Sequence, residues 1–121
     1  MAWLKMQNKV KFEATSPLGY TVQCRESDWA HIIKHGAMAG NEKAVIETIE
    51  DPLVIFPSKS HQNDRFVYYG DPTATYKTEY TAVVVEQRND EFYVTKTAYP
   101  AKKFGNNTQG GDVLYVRNRS R

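Results

Sequence analysis

The second half of the chain is a succession of short segments rich in valine, tyrosine and phenylalanine, and this pattern limits the possible folds most. These residues favour β-strands, and glycine, asparagine, aspartate or proline separates one segment from the next. The segments are residues 53–57, 65–70, 79–88, 91–100 and 112–118. Because short turns join neighbouring antiparallel strands, the pattern predicts an antiparallel sheet of four or more strands.

The N-terminal part predicts a β-hairpin of its own. Residues 9–15 ("KVKFEAT") alternate in polarity, residues 16–19 ("SPLG") are typical of a turn, and residues 20–25 ("YTVQCR") form a second strand. A hairpin, two helices and then a run of strands indicate an α+β fold with the helices packed on the sheet. The length of 121 residues fits one domain, residues 1–121.

Two short helices are predicted between the hairpin and the sheet. Ser27 or Asp28 can cap a helix that begins near Trp29 and ends at Gly36. The second helix spans residues 41–52 and has an apolar stripe on one side. The predicted inner residues of that stripe are Ala44, Val45, Thr48 and Ile49.

The composition excludes several classes of protein. A hydrophobic fraction of 40% and a charged fraction of 25% are ordinary for a soluble globular domain. The longest apolar runs are too short to cross a bilayer, so no membrane partner is expected. Cys24 is the only cysteine, which leaves two interpretations: a buried inert thiol, or a nucleophile with a histidine nearby in the fold.

The net charge of +2 is weakly basic, and its distribution is uneven. Basic residues crowd the last fifth of the chain, where Asp112 opposes them. They are Lys102, Lys103, Arg117, Arg119 and Arg121. This region predicts either contact with a phosphate backbone or a solvated tail.

His31 and His35 are four residues apart on the first predicted helix and therefore share one face. Three interpretations compete. A zinc site would need a third ligand such as His61, and the glutamate of the HExxH motif is missing. The pair could otherwise be two surface residues, or an acid–base pair that titrates near neutral pH.

The strand over residues 91–100 predicts a stripe of hydroxyl groups. If the strand alternates regularly, Tyr93, Thr95, Thr97 and Tyr99 point to one face. Lys102 follows just past the end of the strand. Hydroxyls and a cation suit a phosphate ligand, but threonine and tyrosine are also simply good strand formers.

Four short motifs in order resemble phage-associated and toxin nucleases of the barnase–EndoU–colicin–RelE-like (BECR) type. The motifs are "WAHIIKHG" (29–36), "VIETIEDP" (45–52), "YTAVVV" (80–85) and "VTKTAYP" (94–100). The resemblance covers about residues 20–117. It implies an α+β fold with helices against an antiparallel sheet, and cleavage of RNA without a metal ion or other cofactor.

The resemblance also implies which residues act. His31 and His35 match the helix histidines of the family, and Thr97 and Tyr99 match its "T-A-Y" strand. Thr95 is the alternative hydroxyl. We expect His31 to act as acid–base group, with His35 as its partner or as a donor to the phosphate, and the hydroxyls to hold phosphate oxygens.

Further residues are expected to bind the substrate. Arg65 and Lys102 are electrostatic candidates, and Tyr68 or Tyr93 could stack on a base of single-stranded RNA. The reaction would use the 2′-hydroxyl of the RNA as nucleophile and leave a 2′,3′-cyclic phosphate.

Partners and site of action follow from the same resemblance. The expected partners are RNA, with tRNA as one candidate, and a neutralising immunity or antitoxin protein. The expected site of action is the cytoplasm, and delivery by a secretion system or a phage is one possible route. The alternative functions are a catalytically inactive module that binds RNA or protein, and a metal-dependent hydrolase.

Overall fold

The structure is a computed structural model that describes residues 9–34, 38–59, 61, 63–90, 92–105 and 112–118. It contains two helices and seven strands in these residues. In chain order they are β1 (Val10–Thr15), β2 (Thr21–Arg25), α1 (Glu26–Lys34), α2 (Glu42–Glu50), β3 (Val54–Pro57), β4 (Arg65–Gly70), β5 (Tyr80–Asn89), β6 (Phe92–Ala101) and β7 (Tyr115–Val116).

All seven strands belong to one mixed sheet in the order β1-β2-β6-β5-β4-β3-β7. The predicted N-terminal hairpin is confirmed, because β1 and β2 pair antiparallel. The strands β3 to β6 form the predicted antiparallel run. The expectation of a wholly antiparallel sheet is wrong, because β2 pairs parallel with β6 through Val22↔Tyr93 and Gln23↔Val94.

The parallel pair arises because the two helices separate β2 from the later strands. After β2, the chain passes through α1 and α2 before it enters β3. The N-terminal hairpin is thereby placed on the open edge of β6 and enlarges the sheet. The fold is α+β, as predicted, with a larger sheet than the strand pattern alone required.

The helices pack on one face of the sheet and form the main core there. Trp29 and Ile32 of α1 are buried in this core, together with Val45 and Ile49 of α2. The predicted inner stripe of α2 is therefore confirmed for Val45, Thr48 and Ile49. A second, smaller cluster around Val54, Val67, Tyr69 and Ala82 covers the other face.

The start of α1 is stabilised by side chain–backbone contacts. The helix begins at Glu26, three residues earlier than predicted, and Asp28 lies in its first turn. The Asp28 carboxylate accepts hydrogen bonds from the backbone N–H of Arg25, at 2.9 Å, and from its guanidinium. The carboxylate thus provides an acceptor for the backbone N–H of Arg25, which has no acceptor within the helix. The predicted stop at Gly36 lies outside the described residues.

No helix within the described part of the chain is long and apolar enough to cross a membrane.

Helix α2 packs closely against the sheet at Gly70, the last residue of β4. A methyl group added at Gly70 would lie within 3.0 Å of three side-chain atoms of Thr48. Thr48 is buried and donates its hydroxyl to the carbonyl oxygen of Ala44 in the preceding turn. The absence of a side chain at Gly70 therefore sets the distance between α2 and the sheet.

We expect Gly70→Ala to lower the free energy of unfolding by about 1–3 kcal/mol, because overpacking forces the helix and strand apart. Urea denaturation measures the change. The double variant Gly70→Ala/Thr48→Ala removes two of the three contacting atoms and should recover part of the loss. A Gly70→Ala protein as stable as the wild type would show that α2 does not pack this tightly.

Candidate active site

A cleft of about 330 Å³ opens over the sheet beside the smaller cluster. Its floor is a row of three side chains on adjacent strands: Val67 faces Val84, and Val84 faces Thr97. Polar and charged residues surround this row. The remaining lining residues are His31, Ser58, Arg65, Lys96 and Tyr99.

A β-bulge in β6 determines which of its side chains reach the cleft. Val84 of β5 faces Thr97, but the next residue, Val85, faces Thr95, so Lys96 is an extra residue on β6. An extra residue reverses the alternation of the strand beyond it. Thr97 and Tyr99 consequently face the cleft, whereas Thr95 faces the side of Val85 and the helices.

The predicted stripe of four hydroxyls on one face is therefore wrong. Tyr93 and Thr95 lie on the helix side of the sheet, Thr95 fully buried and Tyr93 packed against the main core. Thr97 and Tyr99 lie on the other side.

His31 reaches the cleft because α1 continues along β6 where β2 stops. The pairing of β2 with β6 ends at Gln23↔Val94, and α1 then contacts β6. Trp29 and Ile32 are buried on its inner side, which leaves the imidazole of His31 exposed at the rim of the cleft. The helix thus adds a titratable group to a wall otherwise made by strands.

Two cations line the cleft, Arg65 from β4 and Lys96 from the bulge. None of the described residues that line it is an aspartate or glutamate. Its electrostatic environment therefore favours an anion.

Tyr99 presents a neutral hydroxyl to the cleft. Burial raises the pKa of its phenol above the ordinary value, and the nearby Tyr69 adds to this shift. The group is therefore a proton donor to a bound oxygen at neutral pH and not a phenolate. The half-buried Thr97 supplies a second hydroxyl to the cleft.

The structure brings four of the predicted site residues together around the cleft: His31, Arg65, Thr97 and Tyr99. Lys102 is exposed beyond the end of β6 and does not line the cleft. His35, the predicted second histidine, lies outside the described residues.

Tyr68 is not available to a substrate, contrary to expectation. Its side chain is fully buried, and its hydroxyl is hydrogen-bonded to Ser16 Oγ and to the Tyr20 hydroxyl, both at 2.6 Å. Tyr93 is half-buried, and one face of its ring stacks on Tyr20 with 3.6 Å between centroids. Neither residue is placed as the exposed stacking platform that the sequence suggested.

Sequence reasoning missed Ser58 and Lys96 as lining residues. Ser58 directly follows β3, and its backbone N–H donates to the carbonyl oxygen of Arg65 at 2.9 Å. Regular alternation would place Lys96 on the face opposite Thr97, and nothing in "VTKTAYP" indicates a bulge. A lysine within a stretch of strand-forming residues was the only signal.

The zinc and thiol interpretations gain no support from the geometry. No group of three or more histidine, cysteine or acidic side chains among the described residues could hold a metal ion. His61 instead approaches Arg65, with 3.5 Å between Nδ1 and the guanidinium. Burial raises the pKa of the Cys24 thiol to about 12, which suits an inert core residue.

A larger cavity of about 600 Å³ lies between α2 and the loop after β4. Its charged lining is mainly acidic, with Glu47, Glu50, Asp51 and Asp71 opposed by Lys43 and Arg117. Arg117 pairs with Asp51 at 3.2 Å and with Asp71 at 3.3 Å. This cavity is therefore unsuited to an anionic ligand.

Comparison with protein-family models, curated proteins and solved structures finds no significant match for this chain. The resemblance to BECR-type nucleases accordingly rests on the sequence motifs alone.

We expect Tyr68→Phe to act on stability, because it leaves the hydroxyls of Ser16 and Tyr20 without their buried partner. The free energy of unfolding should fall by about 1–3 kcal/mol. Chemical denaturation measures the change, with Tyr20→Phe, which removes a single bond of the pair, as the milder comparison. If Tyr68→Phe weakened RNA binding with no change in stability, Tyr68 would have to be accessible to the ligand.

Proposed function

We propose that the protein is a metal-independent endoribonuclease that uses the cleft around His31, Thr97 and Tyr99. The observation that carries the proposal is the composition of this cleft. A titratable imidazole, two hydroxyls and two cations surround one small space, and no described acidic residue lines it. A volume of about 330 Å³ is near the lower end for a ligand site and suits a phosphate with its sugar.

The proposed reaction is attack of the substrate's 2′-hydroxyl on the adjacent phosphorus, which breaks the bond to the 5′ oxygen. His31 takes the 2′ proton or protonates the leaving oxygen, since imidazole does either near neutral pH. Thr97 and Tyr99 donate hydrogen bonds to phosphate oxygens. Arg65 and Lys96 offset the negative charge that grows in the transition state.

This assignment also gives the BECR resemblance a structural meaning. We propose that the helices against the antiparallel strands β3 to β6 correspond to the BECR arrangement, with the N-terminal hairpin as an addition. The toxin or phage association, tRNA as one candidate target, and a cytoplasmic site of action remain parts of this proposal. An immunity or antitoxin protein would cover the basic cleft with an acidic surface.

We expect His31→Ala to lower RNA cleavage by roughly 100-fold or more, because it removes the acid–base group. The assay uses single-stranded RNA with chelator present, and end-group analysis of the products should find 2′,3′-cyclic phosphates. Since the ring is exposed, the free energy of unfolding should change by less than about 0.5 kcal/mol.

Lys34→Ala is the matched control, because Lys34 is exposed on the same helix and does not line the cleft. It should leave cleavage nearly unchanged. Full activity of His31→Ala would exclude His31 as the acid–base group. RNA binding without cleavage by the wild type would favour the inactive binding module, and cleavage abolished by the chelator would favour a metal-dependent hydrolase.

We expect Thr97→Val to have a smaller effect than His31→Ala. The change removes one hydrogen bond of about 1–2 kcal/mol and keeps the shape of the side chain, so cleavage should fall by roughly 5- to 30-fold. Thr95→Val is the comparison on the same strand, because Thr95 faces the core and should leave cleavage per folded molecule unchanged. Equal loss in both variants would indicate a general effect on β6 and not on the cleft.

A further inference from the structure

Arg65 is held against the wall of the cleft by a carboxylate that does not itself line the cleft. Glu86 lies directly opposite Arg65 in the pairing of β4 with β5. Arg65 Nε donates to Glu86 Oε2 at 3.0 Å. The Glu86 side chain is only 12% exposed, whereas that of Arg65 is 26% exposed. The carboxylate is thus the less exposed partner of the pair.

A second arginine binds the other oxygen of the same carboxylate. Arg88 Nε donates to Glu86 Oε1, so each carboxylate oxygen accepts from a different guanidinium. Burial acts to raise the pKa of Glu86, but the hydrogen bonds from Arg65 and Arg88 outweigh it and lower the pKa. Glu86 is therefore ionised at neutral pH, and two cations surround one anion.

The bond to Glu86 determines how the Arg65 guanidinium faces the cleft. Because Nε donates to the carboxylate, the terminal nitrogens of the planar fork are left for other partners. One of them lies 3.5 Å from Nδ1 of His61. A guanidinium held on its Nε side presents its outer N–H groups in a constant direction, which is the arrangement that binds phosphate oxygens well.

We propose that Glu86 is a positioning residue, which orients Arg65 to bind a phosphate group of the ligand in the cleft. The inference rests on the proposed function for the identity of the ligand as RNA. The role of Glu86 in orienting Arg65 toward an anion does not depend on catalysis, so a measurement of binding tests it without any cleavage assay.

Whether Glu86→Gln weakens or strengthens anion binding distinguishes a positioning role from simple electrostatic repulsion. Glu86→Gln removes a negative charge next to the cleft, so Coulomb attraction alone predicts tighter binding of an anion. If Glu86 orients Arg65, the neutral amide holds the guanidinium less firmly and binding becomes weaker. Because glutamine has nearly the same size and shape as glutamate, the substitution preserves the packing between β4 and β5.

The probe is a 2′-O-methyl dinucleotide, which carries one bridging phosphate and cannot be cleaved by 2′-hydroxyl attack. We expect Glu86→Gln to weaken its binding by about 10-fold, as measured by NMR titration. In the Arg65→Ala background, which itself binds weakly, Glu86→Gln should have no further effect. Such non-additivity shows that Glu86 acts through Arg65.

Arg88→Ala is the matched control, since it removes the other partner of the carboxylate and leaves the contact with Arg65. It should change binding by no more than about 2-fold, the effect of one exposed charge. Thermal unfolding of each variant verifies that the folded protein is being compared.

Unchanged or tighter binding by Glu86→Gln would overturn the proposal, and so would an equal effect of Glu86→Gln with and without Arg65. A wild-type protein that shows no binding of the dinucleotide would overturn it as well. RNA cleavage by the wild type is measured separately. Weaker binding in the expected pattern without any cleavage would support Glu86 as a positioning residue and reject the nuclease.

Discussion

One extra residue in the longest strand pair decides how the two faces of the sheet are used. Strands β5 and β6 pair along most of their length, and Lys96 interrupts their register. Before the bulge, Thr95 contributes to the helix-covered face, and after it Thr97 and Tyr99 turn to the cleft. A bulge also re-aims its own side chain. As a result, one strand contributes both to the main core and to three lining positions of the cleft.

The main core gives this arrangement a rigid support. Tyr68 joins the first hairpin to the middle of the sheet, because its hydroxyl binds Ser16 and Tyr20 while its ring fills the core. On the same face, Trp29 and Ile32 hold α1 against β6. The imidazole of His31 is therefore carried by a helix whose inner side is fully packed, which suits a group that must keep its position.

The cleft over the sheet and the cavity beside α2 differ in the sign of most of their charged side chains. The cleft over the sheet contains Arg65 and Lys96, while the cavity beside α2 contains mostly carboxylates. In both places an arginine is paired, Arg65 with Glu86 and Arg117 with Asp51 and Asp71. The difference is that Glu86 does not line the cleft, whereas Asp51 and Asp71 line the cavity beside α2.

The sequence by itself determined the α+β class, the N-terminal hairpin, the buried stripe of α2 and the run from β3 to β6, because local periodicity and turn residues specify them. The motifs also singled out His31, Thr97 and Tyr99, which line one cleft. Tertiary structure alone decided the parallel pairing of β2, the bulge at Lys96 and the burial of Tyr68. Each of these depends on which strands become neighbours, and a pairing between residues distant in the chain leaves no periodic trace in either segment.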